Sequence, residues 1–287
     1  MASYLQDPQQ NTPDDDDWLG SVRRIRTTHL QRCKDRDQRF SMLTCYDALT
    51  AGIFDEAGIE VLLIGDSAGN TVYGYESTVP VTLDELIPLT RAVSGAAQRA
   101  MVLVDLPFGS YEQSPAQAVA SSVRLMKEGG AHGVKMEGGA YYADHVRAMV
   151  QAGIPVMAHI GFTPQSTNSL GGFRVQGRDD AATALLEDAR ALAQAGAFAV
   201  LIEMTASPAV EAVTSEITVP TVGIGAGAST TGQVLVWQDM VGLTPGKAPR
   251  FVKKYADLRS VIAEAAGSYR KDVLKGSFPA PEHVFDE

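Results

Sequence analysis

A closed (β/α)8 TIM barrel, folded as a single domain behind a disordered acidic N-terminal tail, is the architecture that this 287-residue sequence predicts. Three observations predict it. From Phe40 onward, eight short apolar runs alternate with longer stretches of helical period, the signature of repeated βα units around a parallel sheet. The runs are near-continuous in Val, Leu, Ile and Met, as strands buried on both faces require. Polar residues follow nearly every run, and no Gly-x-Gly-x-x-Gly follows the first, which disfavours a doubly wound open sheet with its ligands at one switch point.

Taken in order, the strands are expected at 41–45, 61–64, 101–104, 133–136, 155–158, 199–202, 220–223 and 234–237. The helices between them are expected at 48–57, 83–94, 115–128, 142–152 and 179–195, with a shorter one around 208–214. Several end in a small residue and Gly, as at Gly58, Gly130, Gly153 and Gly196, where glycine supplies a left-handed cap before the next strand. The eighth strand rests on its place in the order alone. The domain division is therefore a tail over residues 1–20 and a catalytic barrel over residues 21–287.

Half of the formal charge of −10 sits in that tail, on Asp7 and Asp14 through Asp17. The mildly acidic body lacks the clustered cations with which nucleic-acid binders release phosphate counterions. No apolar run approaches membrane-spanning length, and the N-terminus lacks the basic-then-apolar pattern of a signal peptide. Cys33 and Cys45, in no metal-type spacing, read as free thiols of a reducing compartment, so cytoplasmic residence is expected.

In a barrel, reactive groups come from the C-terminal ends of several strands. Those ends carry Tyr46 and Asp47, Asp66 and Ser67, Asp105, Lys135 and Glu137, His159, Glu203, and the glycine-rich segment Gly223-Ile224-Gly225-Ala226-Gly227. A single Asp in such a place is more often a helix cap; Asp66 and Asp105 converging on one mouth need a cation, a lysine or a proton to relieve their repulsion. Carboxylate oxygens with one nearby His and no Cys suit Mg2+ better than Zn2+. Lys135 and Glu137 lie two apart and share a strand face, either as an internal ion pair or as a positive charge for substrate beside a metal ligand. Glu203 follows Ala199-Val200-Leu201-Ile202, apolar neighbours that would raise it toward the range of a general base, or else forms a rim salt bridge. His159 reads equally as a packed residue or a site residue. The glycine segment could cradle a phosphate or serve close backbone approach.

Read together, Met42-Leu43-Thr44-Cys45-Tyr46-Asp47, Gly65-Asp66-Ser67, Thr78-Val79-Pro80, Asp105-Leu106-Pro107-Phe108-Gly109, Val134-Lys135-Met136-Glu137-Gly138-Gly139, Ala158-His159-Ile160-Gly161-Phe162-Thr163-Pro164-Gln165 and the glycine segment occur in an order and spacing that closely resemble the ketopantoate hydroxymethyltransferase family. The resemblance runs from about Arg24 to Phe285. It implies a barrel of the phosphoenolpyruvate-mutase and isocitrate-lyase type, Mg2+ dependence, and a homodecamer of two pentameric rings. It also implies hydroxymethyl transfer from 5,10-methylenetetrahydrofolate to 2-oxoisovalerate through a Mg2+-stabilised enolate, giving ketopantoate in the first committed step of pantothenate synthesis. By motif position, Asp66, Asp105 and Glu137 resemble the family's metal-site carboxylates. Asp66, Ser67, Asp105 and Lys135 resemble its ketoacid contacts, Glu203 its proton acceptor, and Tyr46 and His159 residues lining the pocket. No folate-site residues are carried over. Cys45 stands where the family often has a small residue such as Ala, so thiol-sensitive activity is an expectation. Two alternatives stand beside this reading. A Mg2+-dependent C–C lyase of the same superfamily would carry a reactive Cys in a Lys-x-Cys-Gly loop, absent here; a non-catalytic ligand-binding barrel would lack metal-dependent turnover.

Overall fold

The near-continuous apolar runs become strands covered on both faces, in a computed structural model that describes residues 18–285. In chain order the elements are α1 (Thr27–Asp35), β1 (Phe40–Thr44), α2 (Ala48–Glu56), β2 (Val61–Ile64), α3 (Ala68–Thr71), α4 (Leu83–Ala96), β3 (Met101–Asp105) and α5 (Pro115–Gly129). Next come β4 (Gly133–Glu137), α6 (Ala143–Gln151), β5 (Val156–Gly161), α7 (Thr167–Leu170), α8 (Ala181–Gln194), β6 (Ala199–Glu203) and α9 (Ser207–Glu216). The series ends with β7 (Thr221–Ile224), β8 (Gly232–Leu235), α10 (Trp237–Met240) and α11 (Leu258–Lys275). The eight strands are parallel and neighbour one another in sequence order, and β1 pairs with β8 to close the barrel.

Period two divides the strand side chains between two cores. Met42, Leu63, Leu103, Met157, Leu201, Val222 and Val234 pack together inside the barrel. The intervening Leu43, Leu62, Val104, Val134, Val156, Val200 and Ile202 face the helices. Gly58, Gly130, Gly153 and Gly196 all adopt positive φ, from +79° to +103°, so the expected left-handed turns after the helices are present.

Two expectations change, the eighth strand and the tail. The eighth strand starts two residues before the expected 234–237 and stops short of Trp237, which opens α10. Gly232 is paired with Phe40 and lies against its ring, where a Cβ would fall 2.5 Å from a ring carbon; a strand that begins on glycine leaves little apolar signal. No helix lies between β7 and β8, which are joined by residues 225–231. The expected tail over 1–20 is too long: residues 1–17 lie outside the described residues, but Leu19 is buried and Trp18 stacks beneath the guanidinium of Arg32.

Besides the four-residue α3, α7 and α10, two helices had no expectation. On α1, Leu30 and Cys33 join the interior core with Leu19 and Ile25, sealing the barrel end opposite the strand C-termini. The 18-residue α11 buries none of its residues and leaves Val261, Ile262, Tyr269, Val273 and Leu274 exposed. Both cysteines are free and buried. No helix among the described residues is long and apolar enough to cross a membrane.

The turn into β3 is held by one side chain. Asp55, near the end of α2, accepts hydrogen bonds from the backbone N–H groups of Gln98, Arg99 and Ala100 at 2.6–3.0 Å. Asp55→Ala would leave three donors without their charged acceptor, at a cost of about 2–3 kcal/mol. Thermal denaturation should show a fall of at least about 4 °C for a chain of this size; an unchanged midpoint would sink this account.

Candidate active site

The strand register determines which polar residues meet. Asp105, Lys135, Glu137, His159 and Glu203 continue the inward-facing positions of β3 to β6, two residues beyond Leu103, Gly133, Lys135, Met157 and Leu201 respectively. They form the polar C-terminal end of the barrel interior and are not loop residues. Backbone ladder bonds continue regardless of side-chain polarity, so β3, β4 and β6 run one residue past the apolar run and β5 three past it.

Adjacent strands place Asp105 opposite Lys135, and Glu137 opposite His159. Lys135 Nζ lies 2.8 Å from Asp105 Oδ1, 3.2 Å from His159 Nδ1 and 4.0 Å from Glu137 Oε1. The lysine is thus paired across the sheet to Asp105, and Glu137, its neighbour on the same strand face, is the looser contact. His159 Nε2 is 3.3 Å from Glu203 Oε2. The backbone N–H of Asp66 donates to Asp105 Oδ2 at 2.9 Å. Tyr46 and Ser67 are joined through their hydroxyls at 2.8 Å. Every sequence-predicted site residue therefore falls within one network or directly beside it.

Opposite Glu203 on β5 is Gly161, with φ +87°. A Cβ there would fall 2.4 Å from the Glu203 carbonyl oxygen, so glycine is required for the two strands to bring His159 and Glu203 together.

Asp66, Asp105, Lys135, Glu137 and His159 are all at most 4% exposed. Burial, then the charges of Asp105 and Glu137, push the Asp66 carboxyl well above the usual carboxylate range. Burial pushes Glu137 up to about 7 against the pull of Lys135. For Lys135, burial works against the charge, but Asp105, Glu137 and Asp66 outweigh it and hold the ammonium protonated. Burial and the adjacent Lys135 lower His159, so its ring is neutral at pH 7. Because an ammonium can only donate, Nδ1 accepts from Lys135 and Nε2 carries the proton toward Glu203.

Several strand-end residues have other work. Asp47 caps α2, accepting from the N–H groups of Leu49 and Thr50. Gly225 packs against the ring of Phe251 and Gly227 against Ser207, so the glycine segment serves close approach. Glu203 is not enclosed by its apolar strand neighbours: its side chain is 17% exposed and turned toward His159. The Cys45 thiol is raised by burial and hydrogen-bonds to Thr50 and the Asp47 carbonyl, which argues against the expected thiol sensitivity.

Sequence reasoning missed two members. Gln165, 5% exposed in the turn after β5, donates from Nε2 to Asp66 Oδ2 at 2.8 Å and from its backbone to Glu137 Oε2 at 3.0 Å. Tyr111, in the loop after β3, donates to Gln165 Oε1 at 2.8 Å. Gln165 lay in a quoted motif, at the end of Phe162-Thr163-Pro164-Gln165; Tyr111 had no signal.

As the side chains stand, no three His, Cys, Asp or Glu among the described residues converge into a ready metal cage. The donor chemistry nevertheless fits a hard cation. Glu137 Oε1 is buried without a hydrogen bond, and Mg2+ takes one or two carboxylates and completes its octahedron with water and substrate oxygen.

Residues 24–281 match the family model described as ketopantoate hydroxymethyltransferase. The chain belongs to the ketopantoate hydroxymethyltransferase family. It is 64% identical over 264 residues, 92% of this chain and 88% of the relative, to a 3-methyl-2-oxobutanoate hydroxymethyltransferase of Paenarthrobacter aurescens (strain TC1). It is 57% identical over 92% of this chain and 96% of the relative to the enzyme of that name from Leifsonia xyli subsp. xyli (strain CTCB07). Among solved structures, phosphonopyruvate hydrolase complexed with oxalate and Mg2+ matches with a TM-score of 0.59 at 13% identity, covering 90% of this chain and 93% of that one. The 2,3-dimethylmalate lyase of the PEP mutase/isocitrate lyase superfamily matches with a TM-score of 0.57 at 15% identity, covering 90% and 91%. The last two likenesses establish the shared barrel. Membership in the ketopantoate hydroxymethyltransferase family makes this chain an enzyme, a transferase of the pantothenate pathway.

The raised Glu137 carboxyl has a measurable consequence in the metal-free protein. A carboxyl whose folded value lies above its unfolded one binds its proton more tightly when folded, so its stabilisation is complete below about pH 4.5 and is lost as the pH rises through about 7. Glu137→Gln removes that loss. The melting temperature of the variant relative to wild type, in the presence of chelator, should shift in the variant's favour between pH 4.5 and 7; a constant or reversed difference counts against the assignment.

Proposed function

We propose that the enzyme transfers a hydroxymethyl group from 5,10-methylenetetrahydrofolate to 2-oxoisovalerate (3-methyl-2-oxobutanoate), giving ketopantoate, the first committed product of pantothenate synthesis. The observation that carries the chemistry is the path Asp105–Lys135–His159–Glu203, which sets a buried cation and a partly exposed carboxylate on opposite sides of one neutral imidazole. Abstraction of a proton beside a carbonyl needs both, a base at the carbon and a positive charge where the oxygen becomes negative.

Mg2+ held by carboxylates of Asp66, Asp105 and Glu137 would polarise the keto oxygen and stabilise the charge that develops there. Lys135 supplies a fixed positive charge to the same oxygen without reorganisation, since Asp105 already holds its ammonium in place. Ser67, tied to Tyr46, offers a hydroxyl to the substrate carboxylate. Glu203 takes the C3 proton, with His159 Nε2 3.3 Å from its carboxylate. C3 then bonds to the methylene carbon of the donor, which with the oxygen of water becomes the hydroxymethyl group as tetrahydrofolate is released. Neither buried thiol is available as the reactive cysteine of a C–C lyase, which argues against that alternative.

Glu203→Gln should abolish loss of the C3 hydrogen signal of 2-oxoisovalerate in D2O, followed by proton NMR with Mg2+, while leaving ketoacid binding within about threefold of wild type. Full exchange in the variant removes Glu203 as the base. Metal-dependent exchange in wild type without ketopantoate on addition of 5,10-methylenetetrahydrofolate would instead overturn the donor.

The homodecamer and cytoplasmic residence also belong to this proposal. An isolated surface helix needs an apolar face covered to persist, and the exposed apolar side chains of α11 support self-association. Free buried thiols fit a reducing compartment. Light scattering should give about ten times the 30.5 kDa of one chain; the mass of a single chain would exclude the assembly.

A further inference from the structure

We propose that Gln165 is the positioning residue of the cation site, orienting Asp66 and Glu137 by donating one hydrogen bond to each carboxylate. The inference rests on the metal reading given above and extends it to a residue outside the carboxylate and lysine set.

Gln165 sits in the single turn Pro164–Ser166 that follows β5. From there it reaches the products of three other strands. Its backbone N–H donates to Glu137 Oε2 at 3.0 Å, at the end of β4. Its Nε2 donates to Asp66 Oδ2 at 2.8 Å, just after β2, and to the Leu106 carbonyl at 3.0 Å, just after β3. Its Oε1 accepts from the Tyr111 hydroxyl at 2.8 Å. The phenol also lies 3.1 Å from the Glu137 carbonyl, which places Tyr111 against both Gln165 and the backbone of the second carboxylate.

These partners leave the amide one orientation. Both amide hydrogens face acceptors, Asp66 Oδ2 and the Leu106 carbonyl, of which the carbonyl can only accept, and the amide oxygen faces a phenol that burial keeps protonated. Glutamate has the same shape but would set an oxygen against the Leu106 carbonyl and the Asp66 carboxylate. A methionine would fill the volume and donate nothing. The glutamine is therefore required for its chemistry.

The consequence lies at the other oxygens. With Asp66 Oδ2 and Glu137 Oε2 each engaged by Gln165, Asp66 Oδ1 and Glu137 Oε1 are left for a cation, and Glu137 Oε1 is buried without a hydrogen bond. Outer partners of this kind orient metal-binding side chains, and removing one typically costs about 10–100-fold in metal affinity or activity. Gln165 thus acts through the two carboxylates rather than on substrate.

The test is Mn2+ binding to the full-length protein, read from the electron paramagnetic resonance of free Mn2+, for wild type, Gln165→Met and Tyr111→Phe. Gln165→Met should weaken Mn2+ at least about tenfold, and Tyr111→Phe, which frees the amide without removing it, by a smaller factor. In the Met variant, C3 exchange on 2-oxoisovalerate should be recovered by excess Mg2+, with KM for the metal raised far more than kcat is lowered; a packing defect would not be rescued by metal. Should Gln165→Met fail to fold, Tyr111→Phe decides, and unchanged Mn2+ affinity in it overturns the proposal. Folded variants that bind Mn2+ as wild type does, or more tightly, overturn it while leaving the metal reading intact. Wild type that binds no Mn2+ overturns both.

Discussion

One buried lysine among three buried carboxylates is the constraint from which the rest of the site follows. Lys135 satisfies Asp105 at 2.8 Å and leaves Glu137 at 4.0 Å, so the negative charge of the barrel mouth is only partly neutralised by protein. Such a surplus at this depth is relieved by protonation or by a cation, and burial first, then the neighbouring carboxylates, raise the Asp66 and Glu137 carboxyls. The same lysine fixes the imidazole tautomer of His159, whose Nε2 lies 3.3 Å from Glu203. The barrel provides the geometry: adjacent parallel strands bring these groups together at one end of its interior, and a slip of one residue in any strand would turn its contribution outward.

The strands were legible because both of their faces are buried, which writes them as apolar runs. Where that signal fails, the reading failed with it. Gly232 opens β8 against the Phe40 ring and carries no apolar side chain. β3, β4 and β6 end on Asp105, Glu137 and Glu203, and β5 runs through His159 to Gly161, so these last residues looked like loop. Helix α11 buries none of its residues against the described chain, and α1 lies outside the βα repeat that the other elements announce. Trp18 and Leu19 were masked by the acidic run just before them, although they close over the barrel floor.

The site was legible for a different reason. Listing the residue after each apolar run recovers Asp66, Asp105, Glu137, His159 and Glu203 with Lys135, because a barrel gathers strand ends at one mouth. The same rule over-reaches at Asp47, where an aspartate after a strand caps the following helix, and at the glycine segment, whose glycines answer to Phe251 and Ser207. It under-reaches at Gln165 and Tyr111. Neither residue is titratable in the useful range or adjacent to a strand end, and their partners are set by loops that meet only in three dimensions. Family resemblance names the reacting groups and says nothing of what holds them.

The sealed floor of the barrel has a kinetic consequence. Leu30 and Cys33 of α1 close one end, and layers of side chains such as Met42, Leu103 and Leu201 fill the interior above them. Everything that reaches Lys135 must pass Glu203 and Ser67 from the open end, since these two are the site residues that retain exposure. In the proposed reaction, a small ketoacid seated beside Lys135 would be covered by the folate that follows it. Binding would then be ordered, ketoacid before folate. Release would run in reverse, tetrahydrofolate leaving before ketopantoate.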